Sequence, residues 1–230
     1  TDFGVLYAGT DSTSFVDSKE FIVARVKQNL FEQSYIGGIF TDGNPALGAE
    51  GQTYGVDARL ATSDFLGTDK NFVVNAYGTR SDNGDSSDND KSYGVSAHYP
   101  NDSYVGELVY RVIEENFDPA LGFVQRNNVR MYRAGASYNP RPKSLWGIQQ
   151  MFHDIFYTQF ERLDNGHIES TELHITPLDY HFQSGDSIHA LFDYDRTYER
   201  LFEPFQISPG VILQPGAYHN NRFKTTIASA

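Results

Sequence analysis

Paired carboxylates are the residues of this sequence whose types and spacing best suit chemistry. Asp193 and Asp195 lie two positions apart and therefore share one face of any β-strand that contains them. Two carboxyl groups at a controlled separation are the machinery of a glycosidase, and Glu107 and Glu172 are further candidates for its acid and base. The same residues fit equally well as charges that line a wet interior. The pattern therefore leaves catalysis open, and no catalytic residue is assigned.

The histidines do not follow a metal-binding pattern. His174 lies seven positions from both His167 and His181, an odd spacing that places it on the opposite face of a strand from either. A zinc site would have to assemble across strands, and the seven scattered histidines fit better as interior or interfacial side chains. We expect no metal site.

An acidic loop between residues 81 and 91 offers oxygen ligands but not a calcium motif. Its aspartates lack the spacing and the final glutamate of an EF-hand loop, which favours a solvated loop. The sequence also contains no Cys, no Gly-x-Ser-x-Gly, no phosphate-binding loop and no dinucleotide fingerprint, so we expect no cofactor. The aspartates of the loop are Asp82, Asp85, Asp88 and Asp90.

The charge balance argues against one class of partner. Lys and Arg total 18 against 30 for Asp and Glu, a net charge of −12. Phosphate backbones require a basic surface, so we expect no nucleic-acid partner. The chain begins without Met and ends on an alternating stretch, which we interpret as a mature or partial chain.

Alternation of apolar and polar residues is the dominant pattern, and it predicts β-strands. In residues 53–61 the apolar side chains Tyr54, Val56 and Leu60 alternate with polar ones such as Asp57. Turn-forming clusters separate such stretches, which gives eleven or twelve antiparallel strands. The other predicted strands are 3–8, 21–30, 33–41, 72–79, 91–99, 104–115, 129–138, 146–159, 167–182, 188–195 and 217–228.

The composition of the two faces favours one β-architecture. The apolar face carries Ala, Val and Leu flanked by Tyr or Phe, as expected where lipid meets the middle of a strand and aromatic rings lie at the membrane interfaces. We therefore predict an all-β fold: an antiparallel up-and-down β-barrel of the outer-membrane type, a partial chain of about twelve strands. Residues 1–230 form one barrel domain or part of one. The alternative is a soluble all-β carbohydrate-active hydrolase or lectin, in which protein covers the apolar face. The charged candidates for the barrel lumen are Asp57, Arg59, Glu107, Arg111, Arg133, Asp193 and Asp195.

The turn around residues 118–126 has residue types that define a hairpin connection. Pro119 restricts one backbone angle, Gly122 permits an unusual one, and Asp118 accepts hydrogen bonds from nearby amides. We expect Phe123 to pack under this loop. A functional alternative is that Arg126 presents a charged patch to a partner domain or an anionic glycan.

Two segments resemble a known family. DPALGFVQRNNVR (residues 118–130) and EPFQISPGVILQPGAYHNNRF (residues 203–223) resemble the C-terminal envelope β-barrel of an uncharacterised bacterial family of unknown function. Its longer members carry an N-terminal module similar to family-nine carbohydrate-binding domains, and some are labelled membrane-associated hydrolases. Gln125 and Gln214 depart from the pattern, because family members often have Pro there.

The resemblance implies a location but no chemistry. It places the chain in the bacterial outer membrane, with the lipid bilayer as partner, and supplies no established catalytic residue. The expected roles are passage or export of a small solute or a glycan, or anchoring of an N-terminal carbohydrate-binding module.

Overall fold

Strands account for nearly all regular structure in the described chain. The computed structural model describes residues 1–12, 17–46, 49–84 and 88–230, with the backbone alone for residues 190–192. Asp85 of the acidic loop lies outside the described residues. A single 3-10 turn, Phe65–Gly67, accompanies the strands. The strands are β1 (Asp2–Thr10), β2 (Lys19–Asn29), β3 (Tyr35–Asp42), β4 (Gln52–Thr62), β5 (Phe72–Asp82), β6 (Lys91–Pro100), β7 (Tyr104–Ile113), β8 (Val129–Tyr138), β9 (Ile148–Arg162), β10 (Ile168–Phe182), β11 (Ser187–Leu201), β12 (Phe205–Ser208), β13 (Val211–Leu213) and β14 (Gly216–Ala228).

The strands form an up-and-down antiparallel arrangement, which confirms the predicted all-β fold class. Hydrogen bonds order a twelve-stranded sheet as β1 to β11 in chain order, followed by β14. The hairpin β12–β13 is separate from this sheet and was not predicted. Within the described residues, no helix combines the length and the apolar character required to cross a membrane.

Two compact units divide the chain. The first comprises Thr1–Ala97 with Tyr110–Arg130, and the second comprises His98–Val109 with Met131–Ala230. In the first unit each of β1 to β4 pairs with the next strand without a register shift. The strict two-residue alternation of the sequence is therefore kept along these strands, and each side chain keeps its face.

In the second unit the strands β9, β10 and β11 are longer, and their pairing contains bulges. Each has 15 residues. The pairing of β10 shifts register between Thr176 and Asp179 on the β9 side, and between Leu178 and Tyr180 on the β11 side. Pro177 lies at this bulge, where a residue without an amide hydrogen is tolerated because the ladder is interrupted. Bulges re-aim the side chains that follow them, and this one precedes Asp179 and His181.

The buried positions of the described chain are largely polar. Asp193 and Asp195 are each only 6% exposed, and Thr53 is 7% exposed. By contrast, Val5 is 72% exposed and Phe223 is 74% exposed, although both lie within strands. Large apolar side chains in exposed strand positions, opposite buried carboxylates, reverse the distribution of a soluble protein. The buried apolar residues are Val73, Val112, Phe117, Val129, Met131 and Ile148.

The connection between β7 and β8 is held by hydrogen bonds within the first unit. The amide of Asp118 donates to Ser81 Oγ at 2.9 Å, and Asn83 Nδ2 donates to the Asp118 carbonyl at 3.0 Å. These contacts support a structural role for the turn. The expectation that Phe123 packs under the loop is wrong, because Phe123 is 89% exposed. Phe117, at 7% exposed, occupies the interior position.

Candidate functional site

We define the polar face as the strand side chains that alternate with the exposed apolar ones. In the first unit its main ion pair joins Arg25 on β2 to Asp57 on β4 through two contacts, of which Nη2 to Oδ2 is 2.9 Å. Gly37 lies on β3, the strand between them, and is opposite Lys27 and Asp57 in register. A Cβ at Gly37 would lie 2.6 Å from Arg25 Nη2, so a larger residue there would force the guanidinium to shift.

A second polar chain crosses β4, β5 and β6. Arg59 pairs in register with Asn75, and its Nη1 donates to Asn75 Oδ1 at 3.4 Å. Asn75 Nδ2 in turn donates to Ser96 Oγ at 3.3 Å. The predicted candidates Asp57 and Arg59 thus both lie on the polar face of the first unit. Arg59 is held by Asn75 on the adjacent strand β5, and Asp57 is held by Arg25 across the intervening strand β3.

In the second unit Glu107 and Arg133 form an ion pair between β7 and β8. Arg133 also donates from Nη1 to Thr158 Oγ1 at 3.1 Å, and its guanidinium lies 5.1 Å from the centre of the Phe156 ring. Gly135 leaves the space for that ring, because a Cβ at this position would overlap it. This pair therefore has support from both charge and packing.

The two predicted aspartates of β11 belong to a larger cluster. His174 Nδ1 lies 2.6 Å from Asp195 Oδ1, while Arg222 Nε donates to Asp195 Oδ2 at 2.8 Å. Thr176 Oγ1 donates to Asp193 Oδ1 at 2.8 Å. Both oxygens of Asp195 are therefore engaged by nitrogen atoms. This arrangement suits a fixed charge better than a general acid, which needs a carboxyl group that keeps its proton.

Sequence reasoning missed His174 and Arg222. Each lies directly opposite Asp195 in the register of its strand, His174 on β10 and Arg222 on β14. The alternation of the sequence indicates which face a residue occupies, but it does not indicate which residue of the next strand stands opposite.

Of three other candidates, Glu172 lies near enough to Arg222 of the Asp195 cluster to interact with its charge. Glu172 is exposed on β10, and Arg111 is exposed on β7. Arg126 is half-buried in the connection between β7 and β8.

Among the described residues, two groups of His and Asp side chains have the proximity needed to hold a metal ion. One is His174 with Asp193 and Asp195, whose oxygens are already engaged by Arg222 and Thr176. The other is Asp179, His181 and His189 at the turn between β10 and β11.

Comparison with known proteins adds no relative to this description. No family model, no curated protein and no solved structure matches the chain. The contacts of the polar face and the exposure of the apolar face therefore carry the functional proposal.

Proposed function

We propose that this chain is a bacterial outer-membrane β-barrel whose apolar sheet face meets lipid and whose polar face lines the interior. The observation that carries the proposal is the reversed exposure of neighbouring residues. Val56 is 64% exposed, whereas the side chain of Asp57, the next residue, is 24% exposed. Such alternation along a strand is the distribution expected when hydrocarbon, and not water, surrounds the apolar face.

An apolar groove on the first unit supports the same proposal. It has a volume of about 740 Å³, and glycines at Gly38 and Gly78 leave room between larger side chains. In water a groove of this kind would be costly, but acyl chains fill irregular apolar surfaces without penalty. The large side chains that line it are Phe3, Val5, Val26, Phe40, Tyr54, Val56 and Tyr93.

The pairing of charges bears on the role of the interior. Each unit contains ion pairs in which the two opposite charges neutralise each other. They are Arg25 with Asp57, Arg133 with Glu107, and Arg222 with Asp195. Paired charges create a weak net field, so they favour passage of uncharged solutes such as glycans, or a sealed barrel, over an ion-selective pore. We propose a glycan passage, or an anchor for the carbohydrate-binding module that the resemblance implies.

The first test is detergent dependence. The purified chain is expected to keep its far-UV circular dichroism in micelles and to precipitate when detergent is removed. Conductance across a planar bilayer then separates a passage from an anchor, because only the passage conducts. A chain that stays folded and monodisperse in plain buffer would overturn the barrel proposal and direct the search to the lectin or hydrolase alternative.

The second test uses the absence of cysteine from the sequence. Phe223→Cys, in β14, and Trp146→Cys, in the turn before β9, replace residues that are 74% and 87% exposed. Each variant is labelled with an environment-sensitive fluorophore in lipid vesicles. The label at position 223 is expected to emit as in hydrocarbon, and the label at 146 as near water. Equal, water-like emission at both positions would contradict the lipid-facing assignment.

A further inference from the structure

The turn between β10 and β11 brings together three side chains of a type that binds metals. Asp179 and His181 share one face at the end of β10, two positions apart, and His189 lies near the start of β11. All three belong to the second unit and are half-buried. The register pairs His181 with Ser187 and Tyr180 with Ile188 and resumes at Leu178 with Leu191, so His189 lies at the bulge between these pairs.

The distances between the donor atoms match those around a bound metal ion. Asp179 Oδ1 lies 3.1 Å from His181 Nε2 and 3.5 Å from His189 Nδ1. Donors at about 2.0–2.1 Å from a tetrahedral metal lie roughly 3.3 Å from one another. The two measured distances bracket that value, and the three donor atoms all lie within 4.8 Å of each other.

The orientation of the groups distinguishes this cluster from an ordinary ion pair. Asp179 Oδ1 is buried and has no hydrogen-bond partner, although two imidazole nitrogens lie close to it. Groups that bonded to each other would point at each other. Groups that share a ligand point at a common centre, so an acceptor such as Asp179 Oδ1 makes no hydrogen bond to its neighbours. A buried acceptor without a partner destabilises the fold unless the ligand is bound.

A neighbouring hydroxyl prepares one imidazole for ligation. Ser187 Oγ lies 2.7 Å from His189 Nε2. When His189 Nε2 carries the proton and donates a hydrogen bond to this hydroxyl, the lone pair of Nδ1 is free to bind a metal. A hydrogen bond of this kind on the far side of a ligating histidine is usual at metal sites. The His181 ring is held edge-on by Phe152 and by His189, with ring centres 5.2 and 4.9 Å away.

We propose that Asp179 Oδ1, His181 Nε2 and His189 Nδ1 bind one divalent transition-metal ion, with Zn²⁺ as the best match. Two imidazoles and one carboxylate suit Zn²⁺ or Fe²⁺, whereas Ca²⁺ and Mg²⁺ require oxygen ligands. Three protein ligands leave a fourth position for water or a bound ligand. The ion links β10 to β11, and its binding does not depend on whether the sheet crosses a membrane.

The second His and Asp group is the weaker candidate. Arg222 donates to Asp195, and a guanidinium beside a carboxylate opposes a second cation there. Thr176 already donates to Asp193. The two groups therefore predict different effects for substitutions at His174 and at His189.

The test is calorimetric titration of the folded, full chain with ZnCl₂ after chelator treatment. One ion per chain is expected for the unaltered protein. Asp179→Asn and His189→Ala should each weaken binding by about two orders of magnitude, and Ser187→Ala by about tenfold or more. His167→Ala, in the exposed turn before β10, and His174→Ala are the matched controls and should leave binding unchanged.

Circular dichroism of each variant establishes that it is folded, and Co²⁺ provides a readout that needs no variant. Co²⁺ bound at this site should give the intense visible absorption of a four- or five-coordinate ion and should be displaced by Zn²⁺. The proposal fails if the unaltered chain binds no stoichiometric Zn²⁺ and shows only the spectrum of hydrated Co²⁺. It also fails if folded Asp179→Asn and His189→Ala bind as the unaltered chain does, or if His174→Ala alone removes binding.

Discussion

Placing a positive charge on the apolar face tests what surrounds that face. Val56 lies near the middle of β4, and 64% of it is exposed. Burying a whole valine side chain contributes about 1.5–3 kcal/mol, so contact of this fraction with hydrocarbon contributes roughly 1–2 kcal/mol. Replacing it with arginine removes that contribution and also brings a charge into the bilayer. The charge itself costs about 2–4 kcal/mol near the bilayer midplane, so the total cost for Val56→Arg is about 3–6 kcal/mol if this position lies there.

The cost is specific to a lipid environment. If the exposed face lies in water instead, the same substitution should change the free energy of unfolding by only about 0.5 kcal/mol or less. The assay is urea unfolding in phosphatidylcholine vesicles, followed by far-UV circular dichroism. Phe31→Arg is the matched control, because Phe31 is 73% exposed but lies in the turn between β2 and β3. If Val56→Arg costs no more than Phe31→Arg in vesicles, the lipid-facing assignment of this strand is refuted.

Three further predictions concern the second unit. Gly135→Ala forces a methyl group into an aromatic ring and should lower the free energy of unfolding by about 1–3 kcal/mol; a change near zero would show that the ring moves away freely. Arg133→Met leaves the carboxylate of Glu107 without its guanidinium and should cost about 1–2 kcal/mol, part of which Glu107→Gln restores in the double variant; strictly additive losses would argue against coupling. The hydrogen bond from Arg162 holds the pKa of Asp164, in the turn after β9, below its ordinary value. A lowered pKa in the folded state contributes stability above the unfolded value of about 3.9, and that stability is lost as the pH falls through the folded value. Arg162→Gln should therefore raise the pKa of Asp164 in an NMR titration and destabilise the chain at neutral pH but not in acid, and an unchanged pKa would contradict the pairing.

The strands were predictable because their signal is local. Alternation with period two placed β8 at residues 129–138, as observed, and the other predicted strands overlap those of the sheet, with ends that differ by up to several residues. The hairpin β12–β13 was not predicted, because its strands have four and three residues, too few for alternation to be recognised. Phe123 was wrongly predicted to pack under the loop because loop packing depends on contacts from distant segments, such as Ser81.

The site was predictable only in part. Asp57, Arg59 and Asp195 were assigned to the polar face from alternation, and they make polar contacts there with side chains of other strands in the sheet. Their partners depend on register, which the period of a strand leaves undetermined. The bulge at Pro177 adds a further difficulty. It interrupts the alternation of faces between His174 and His181, which the prediction from histidine spacing assumed to be unbroken. Two signals in the sequence would have located the group of Asp179, His181 and His189. They are the turn at residues 184–186 and the even spacing of Asp179 and His181.

The separation of β12–β13 from the sheet makes the polypeptide between β11 and β14 dispensable for their pairing. β14 stays hydrogen-bonded to β11 over register pairs that run from Ser187 and Ala228 to Leu201 and Gly216. Gly210, in the hairpin turn, lies in an exposed position with a φ of +80°. We expect a protease that cuts there to leave two fragments held together by the pairing of β11 with β14. If they stay associated, β14 becomes a candidate for supply as a separate peptide in fragment complementation.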